Sequence, residues 1–86
     1  MVARHKVFKK NFKKRILPDP DLVVKFEERM SLLLSDPRNL ILKDHALLGD
    51  KAGYRAFSVA GDIRVVYKIE GDTLRLYDIG SHNQVY

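Results

Sequence analysis

The stretch Gly53–Tyr86, GYRAFSVAGDIRVVYKIEGDTLRLYDIGSHNQVY, decides the fold. Two Gly-Asp pairs, Gly61-Asp62 and Gly71-Asp72, separate runs rich in β-branched and aromatic residues at Tyr54–Ala60, Ile63–Glu70 and Thr73–Ile79. Glycine supplies the positive φ that a tight hairpin needs, so the pattern predicts three antiparallel strands joined by two-residue turns. Pairing Ala60 with Ile63 and Glu70 with Thr73 fixes their register. One face then carries Ala56, Ser58, Ala60, Ile63, Val65, Tyr67, Ile69, Leu74 and Leu76, apolar enough to pack on helices. The other carries Arg55, Phe57, Val59, Arg64, Val66, Lys68, Arg75, Tyr77 and Ile79. Cations interleaved with aromatic and β-branched side chains suit phosphates and unstacked bases, or a partner's amphipathic segment. A one-residue bulge would mix the two faces.

Upstream of this sheet the signals are helical. Arg4–Phe8 reads as a short edge strand, after which Phe8, Phe12 and Ile16 recur every four residues and give a basic first helix one apolar stripe. Pro18 stops it. Asp19 offers an N-cap, Pro20 suits the first helical position and Asp21 favours the positive end of the dipole, so a second helix begins here. Its core face is expected to hold Leu22, Phe26, Met30 and Leu33, with Val23 and Leu34 alongside, and Ser35-Asp36-Pro37 to end it. Residues 38–53 read as an apolar run, Leu40-Ile41-Leu42, and then a polar loop that carries His45.

Composition narrows the function classes. Eighty-six residues, without linker or repeat, make one domain over 1–86. There is no cysteine, which excludes disulfides, thiolate metal sites and a cysteine nucleophile, and suits a reducing, cytoplasmic setting. No apolar run is long enough to span a bilayer, so no membrane partner is expected. Sixteen Lys and Arg against eleven Asp and Glu give a net charge of +5, which draws the chain toward polyanions. Seven of those cations, Arg4, Lys6, Lys9, Lys10, Lys13, Lys14 and Arg15, fall within the first fifteen residues. The three histidines show no metal-ligand spacing, and no DNA-reading motif is present.

Particular residues carry a family resemblance. Lys43-Asp44-His45-Ala46-Leu47-Leu48-Gly49, then Gly53-Tyr54-Arg55, the Asp62–Lys68 strand and the ending Gly80-Ser81-His82-Asn83-Gln84-Val85-Tyr86 resemble the RelE/ParE superfamily of bacterial toxins, most of all its YafQ type. The resemblance implies an α+β fold in which two N-terminal helices pack on a small, twisted, mainly antiparallel sheet, in the order β-α-α-β-β-β. It also implies a toxin of a type II toxin-antitoxin pair that enters the ribosome and cuts mRNA there. Such enzymes use neither metal nor cofactor. They promote attack of a ribose 2′-hydroxyl on the adjacent phosphate, which requires proton removal, charge stabilisation and protonation of the 5′-oxygen.

His45, Asp62, His82 and Tyr86 fall on positions that resemble the subgroup's catalytic and mRNA-contacting residues. His82 is the first candidate for proton transfer and His45 the second; Asp62 orients a histidine or acts as a base. Arg64 lies where related branches place a catalytic arginine, and Tyr86 is expected to stack on a base or bond a phosphate. Arg55, Lys68, Arg75, Lys9, Lys10, Lys13 and Lys14 are the expected RNA-contacting cations. Two positions depart from the pattern: Ser58 replaces a histidine and Asp78 an arginine. The departures keep open a binding module that has lost cleavage. A ParE-like gyrase inhibitor is the other alternative, and His82 argues against it. The implied partners are a cognate antitoxin, the ribosome and mRNA, with DNA reached only through the antitoxin complex.

Overall fold

The computed structural model describes all residues, Met1–Tyr86. The order is β1 (Val2–Arg4), α1 (Lys6–Arg15), α2 (Pro20–Ser35), β2 (His45–Ala46), β3 (Arg55–Ala60), β4 (Ile63–Glu70), β5 (Thr73–Ser81) and α3 (His82–Val85). The strands form one sheet, β1-β5-β4-β3-β2, antiparallel throughout except for the β1–β5 pair. No helix is long and apolar enough to cross a membrane.

Both Gly-Asp turns form where expected, with Ala60 opposite Ile63 and Glu70 opposite Thr73. Gly61 and Gly71 take φ of +51° and +60°, the left-handed region that these turns demand. The facing expectation then fails at two bulges. Between Ser58 and Ala60 the β3–β4 register slips, so Phe57 rather than Ser58 opposes its neighbour Val65, and Phe57 and Val59 are fully buried. Between Leu76 and Asp78 the β4–β5 register slips in turn, which brings Ile79 opposite Val65 and into the core. Each bulge inserts one residue and turns over every side chain on the far side of it from the hairpin turn. Phe57, Val59 and Ile79 therefore belong to the helix-covered side, while Ile69, near the β4–β5 turn, is 61% exposed.

The helices follow their punctuation. The Asp19 side chain accepts from the backbone N–H groups of Asp21 and Leu22 at 3.1 and 3.4 Å and starts α2. Phe8, Ile16, Phe26 and Leu33 bury against Val59, Val65, Tyr67 and Leu76, and Phe12 meets Phe26 edge-on with centroids 5.1 Å apart. At the last turn of α2 the apolar stripe swings to Leu32, leaving Leu34 60% exposed. The expected strand at Arg4–Phe8 is corrected. β1 ends at Arg4, and His5 caps α1 by accepting from the Val7 N–H at 3.1 Å, so Phe8 is helical. Two further elements, β2 and α3, lie where no strand or helix was expected, and both carry site residues.

Candidate functional site

Lys43, His45, Arg64, His82 and Tyr86 line one cleft of about 280 Å3 at the end of the sheet. Four of these five were singled out from the sequence, and they come from three separate elements and the chain end. Arg64 stands on β4 in a cross-strand row, with Ser58 opposite on β3 and Gly80 opposite on β5. The position over Gly80 is filled by the side chains of Gln84 and Arg15, and Ser58 is buried. Arg64 makes no ion pair, and neither Asp62 nor Asp78 lies within salt-bridge reach of it. A cation without an internal partner is available to a phosphate.

His82 opens α3, whose Val85 is buried against the sheet. The backbone N–H of Ser81 donates to Gln84 Oε1 at 2.7 Å, and that of His82 donates to Asp62 Oδ2 at 3.3 Å. Asp62 does not line the cleft; its contact is with the backbone that carries His82. The His82 and Tyr86 rings, one turn apart, meet edge-on with centroids 4.5 Å apart. Burial raises the Tyr86 phenol's pKa, and the positive charge of Arg64 partly opposes the rise.

His45 belongs to the edge strand β2, where it pairs with Ala56. Its Nδ1 lies 2.9 Å from the Lys43 carbonyl oxygen. A carbonyl only accepts, so Nδ1 carries the hydrogen and Nε2 keeps its lone pair in the neutral ring. Lys43 has φ of +50°, the one non-glycine residue in the left-handed region. The strain is held from the next residue. Asp44 Oδ1 accepts the Tyr67 hydroxyl at 2.7 Å and Arg55 Nε at 3.3 Å, while Oδ2 accepts Arg55 Nη2 at 3.4 Å. Burial, reinforced by the carboxylate, raises the Tyr67 pKa, and the same carboxylate raises that of Arg55. Lys43 and the Asp44–Tyr67 contact escaped the sequence reading, because a lysine gives no signal of a left-handed backbone.

The expected cationic face is redistributed. Arg55 sits opposite Tyr67, bound to Asp44, and lines a neighbouring cleft with Arg38 rather than the one around His82. Arg75 pairs with Glu70 at 2.7 Å, a bond that holds the Glu70 carboxyl below its usual range. Lys68 lies 5.2 Å from the Tyr54 ring centroid. Lys9, Lys10, Lys13 and Lys14 are exposed along α1, outside the cleft. Asp78 is engaged from α1: its Oδ1 accepts Asn11 Nδ2 at 2.7 Å and stands 3.7 Å from Arg15 Nη1. Its charge is thus partly offset, and it does not line the His82 cleft. No three His, Asp or Glu side chains stand together so as to hold a metal ion.

This sheet, with its helices, has the fold of a RelE/ParE-superfamily toxin. E. coli YafQ superposes with a TM-score of 0.85 at 26% identity, covering 100% of this chain and 97% of that one. The same protein in the E. coli DinJ-YafQ complex gives 0.82 at 26% identity, with coverage of 100% and 97%. A copper-bound mutant toxin from Helicobacter pylori gives 0.81 at 30% identity, with coverage of 99% and 97%. A YoeB/ParE toxin from Agrobacterium tumefaciens, 20% identical and covering 94% and 96%, shares the fold with a TM-score of 0.80. Residues 1–86 match the family described as bacterial toxin of type II toxin-antitoxin system, YafQ, and the chain belongs to that family. No curated protein sequence matches it.

Proposed function

We propose that this toxin is a ribosome-dependent endoribonuclease that cuts mRNA with its own side chains and is neutralised by a cognate antitoxin. The observation that supports this most is the convergence of His45, Arg64, His82 and Tyr86 on one cleft. His82 and His45 share the proton transfers: one imidazole removes the 2′-hydroxyl proton and the other protonates the 5′-oxygen. The 2′-oxygen–phosphorus bond forms, the phosphorus–5′-oxygen bond breaks, and the products are a 2′,3′-cyclic phosphate and a 5′-hydroxyl. Arg64 stabilises the extra negative charge on the phosphorane, and Tyr86 stacks on a neighbouring base. Asp62 holds the first turn of α3, and so His82, in place. Ser58 removes a histidine from this machinery but leaves two imidazoles, the minimum for separate base and acid.

The partner side of the proposal rests on the DinJ-YafQ complex and on charge. At +5, the chain favours an antitoxin with an acidic segment laid over the cleft. Primer-extension mapping of mRNA in cells induced for the wild type tests the nuclease reading. New 5′ ends inside translated codons are expected, and their absence removes it. Thermal unfolding with and without the candidate antitoxin tests the partner, which should raise Tm.

A further inference from the structure

A separate hollow, of about 290 Å3, has Val66 and Val85 among its apolar lining and the rings of His5, Tyr54 and Tyr77 around it. The His5 ring stacks on Tyr77 at 5.2 Å with the planes 26° apart, and Tyr54 meets Tyr77 edge-on at 5.0 Å. The arrangement is pinned at both ends. His5 Nδ1 accepts the Val7 N–H at 3.1 Å, and the Tyr77 hydroxyl donates to Glu70 at 3.1 Å. Asp78 also lines the hollow. Its Oδ1 accepts from Asn11 and from the Ile79 N–H, at 2.7 and 2.8 Å, whereas its Oδ2 makes no hydrogen bond within the protein. The β5 bulge is what allows the consecutive residues Tyr77 and Asp78 to line one space.

The chemistry of this space selects a ligand. The charged lining is two carboxylates, Asp50 and Asp78, against one cation, Lys51, a balance that does not favour a phosphate, and an aliphatic side chain would leave the open Asp78 Oδ2 without a donor. A flat heteroaromatic ring with an amino group on its edge satisfies both the rings and the carboxylate. The hollow also connects with the cleft. A third space of about 420 Å3, lined by Leu47 and Leu48, shares Tyr86 with the cleft and Asp50 and Lys51 with the hollow. A single strand running from the scissile phosphate past Tyr86 would meet it next.

Resting on the nuclease reading above, we propose that this hollow receives the base of an mRNA nucleotide flanking the scissile phosphate. Asp78 Oδ2 accepts from the exocyclic amino group of adenine, cytosine or guanine, which are preferred over uracil, whose Watson–Crick edge offers only the ring N3–H flanked by two carbonyl oxygens that the carboxylate repels. The test is amide chemical-shift titration of the isotope-labelled full chain with each nucleoside 5′-monophosphate. Shifts at Val66, Tyr77 and Val85 are expected with the amino-bearing nucleotides, about tenfold tighter than with UMP. Asp78→Asn should erase that preference, and Tyr54→Ala should weaken all binding at the hollow while leaving the folded spectrum intact. Equal response to all four nucleotides, shifts confined to His82 and Tyr86, shifts at the hollow only with an antitoxin-derived peptide, or none at millimolar nucleotide would each overturn the proposal. Binding is read without cleavage, so an inactive wild type with a responsive hollow counts against the nuclease reading alone. A cleaving wild type with a silent hollow counts against this subsite alone.

Discussion

At the scale of single residues, the cleft depends on side chains that are either free or held. Arg64 is free: it has no ion pair to lose, so Arg64→Ala should leave the unfolding free energy within about 1 kcal/mol of the wild type while cutting the cleavage rate about 10²–10³-fold. Unfolding curves and single-turnover rates together check this. Tyr67 is held, and its hydroxyl bond to Asp44 fixes the residue between the strained Lys43 and His45. Removing one hydrogen bond to a charged group costs about 1.5–3 kcal/mol, so Tyr67→Phe should lower stability by that order and the cleavage rate through a displaced His45. A pH dependence follows from the raised Tyr67 pKa. Folding favours the protonated phenol, so the contribution is complete below the unfolded value of 10.0 and is lost as pH rises through the higher folded value. Denaturant titrations above pH 10 should therefore show stability falling with pH in the wild type and falling less in Tyr67→Phe.

At the scale of elements, α3 is four residues long and stands on a narrow support. A Cβ on Gly80 would come 2.6 Å from Gln84 Oε1 and 2.7 Å from Arg15 Nη1, breaking the Gln84 bond to Ser81 and disturbing that from Arg15 to the Ile79 carbonyl. Gly80→Ala should thus displace His82 and lower the cleavage rate at least about tenfold while costing only about 1–2 kcal/mol of stability, to be read by cleavage assay and unfolding. Much at this scale was legible in the sequence. The Gly61 and Gly71 turns and the Asp19-Pro20 start of α2 are local signals with local causes, and each forms as expected. The bulges at Val59 and Tyr77 were not legible, because an extra residue in a strand is chosen by which face packs, and that is a tertiary matter. Two-residue β2 and four-residue α3 are too short to show a period, so His45 and His82 were read as loop and tail residues although both sit on defined elements. The meeting of His45, Arg64, His82 and Tyr86 was carried by the family resemblance, since no spacing in the chain brings positions 45 and 82 together.

At the scale of the whole molecule, charge and cleft are spatially separate. Lys9, Lys10, Lys13 and Lys14 lie exposed on α1, outside the cleft, where the proposed nuclease would use them for association with ribosomal RNA rather than for chemistry. Changing all four to Ala should weaken ribosome binding and flatten its salt dependence, with the single-turnover rate at saturating ribosome unchanged; sedimentation at graded salt measures this. The central claim is that the cleft itself carries out mRNA cleavage, with His82 in proton transfer. Single-turnover cleavage on purified, mRNA-programmed ribosomes, comparing the wild type with His82→Ala, tests it most directly. The account predicts cutting by the wild type and a loss of about 10²–10⁴-fold in the variant, with ribosome binding retained. No cutting by the wild type, or equal rates for the two proteins, would contradict it.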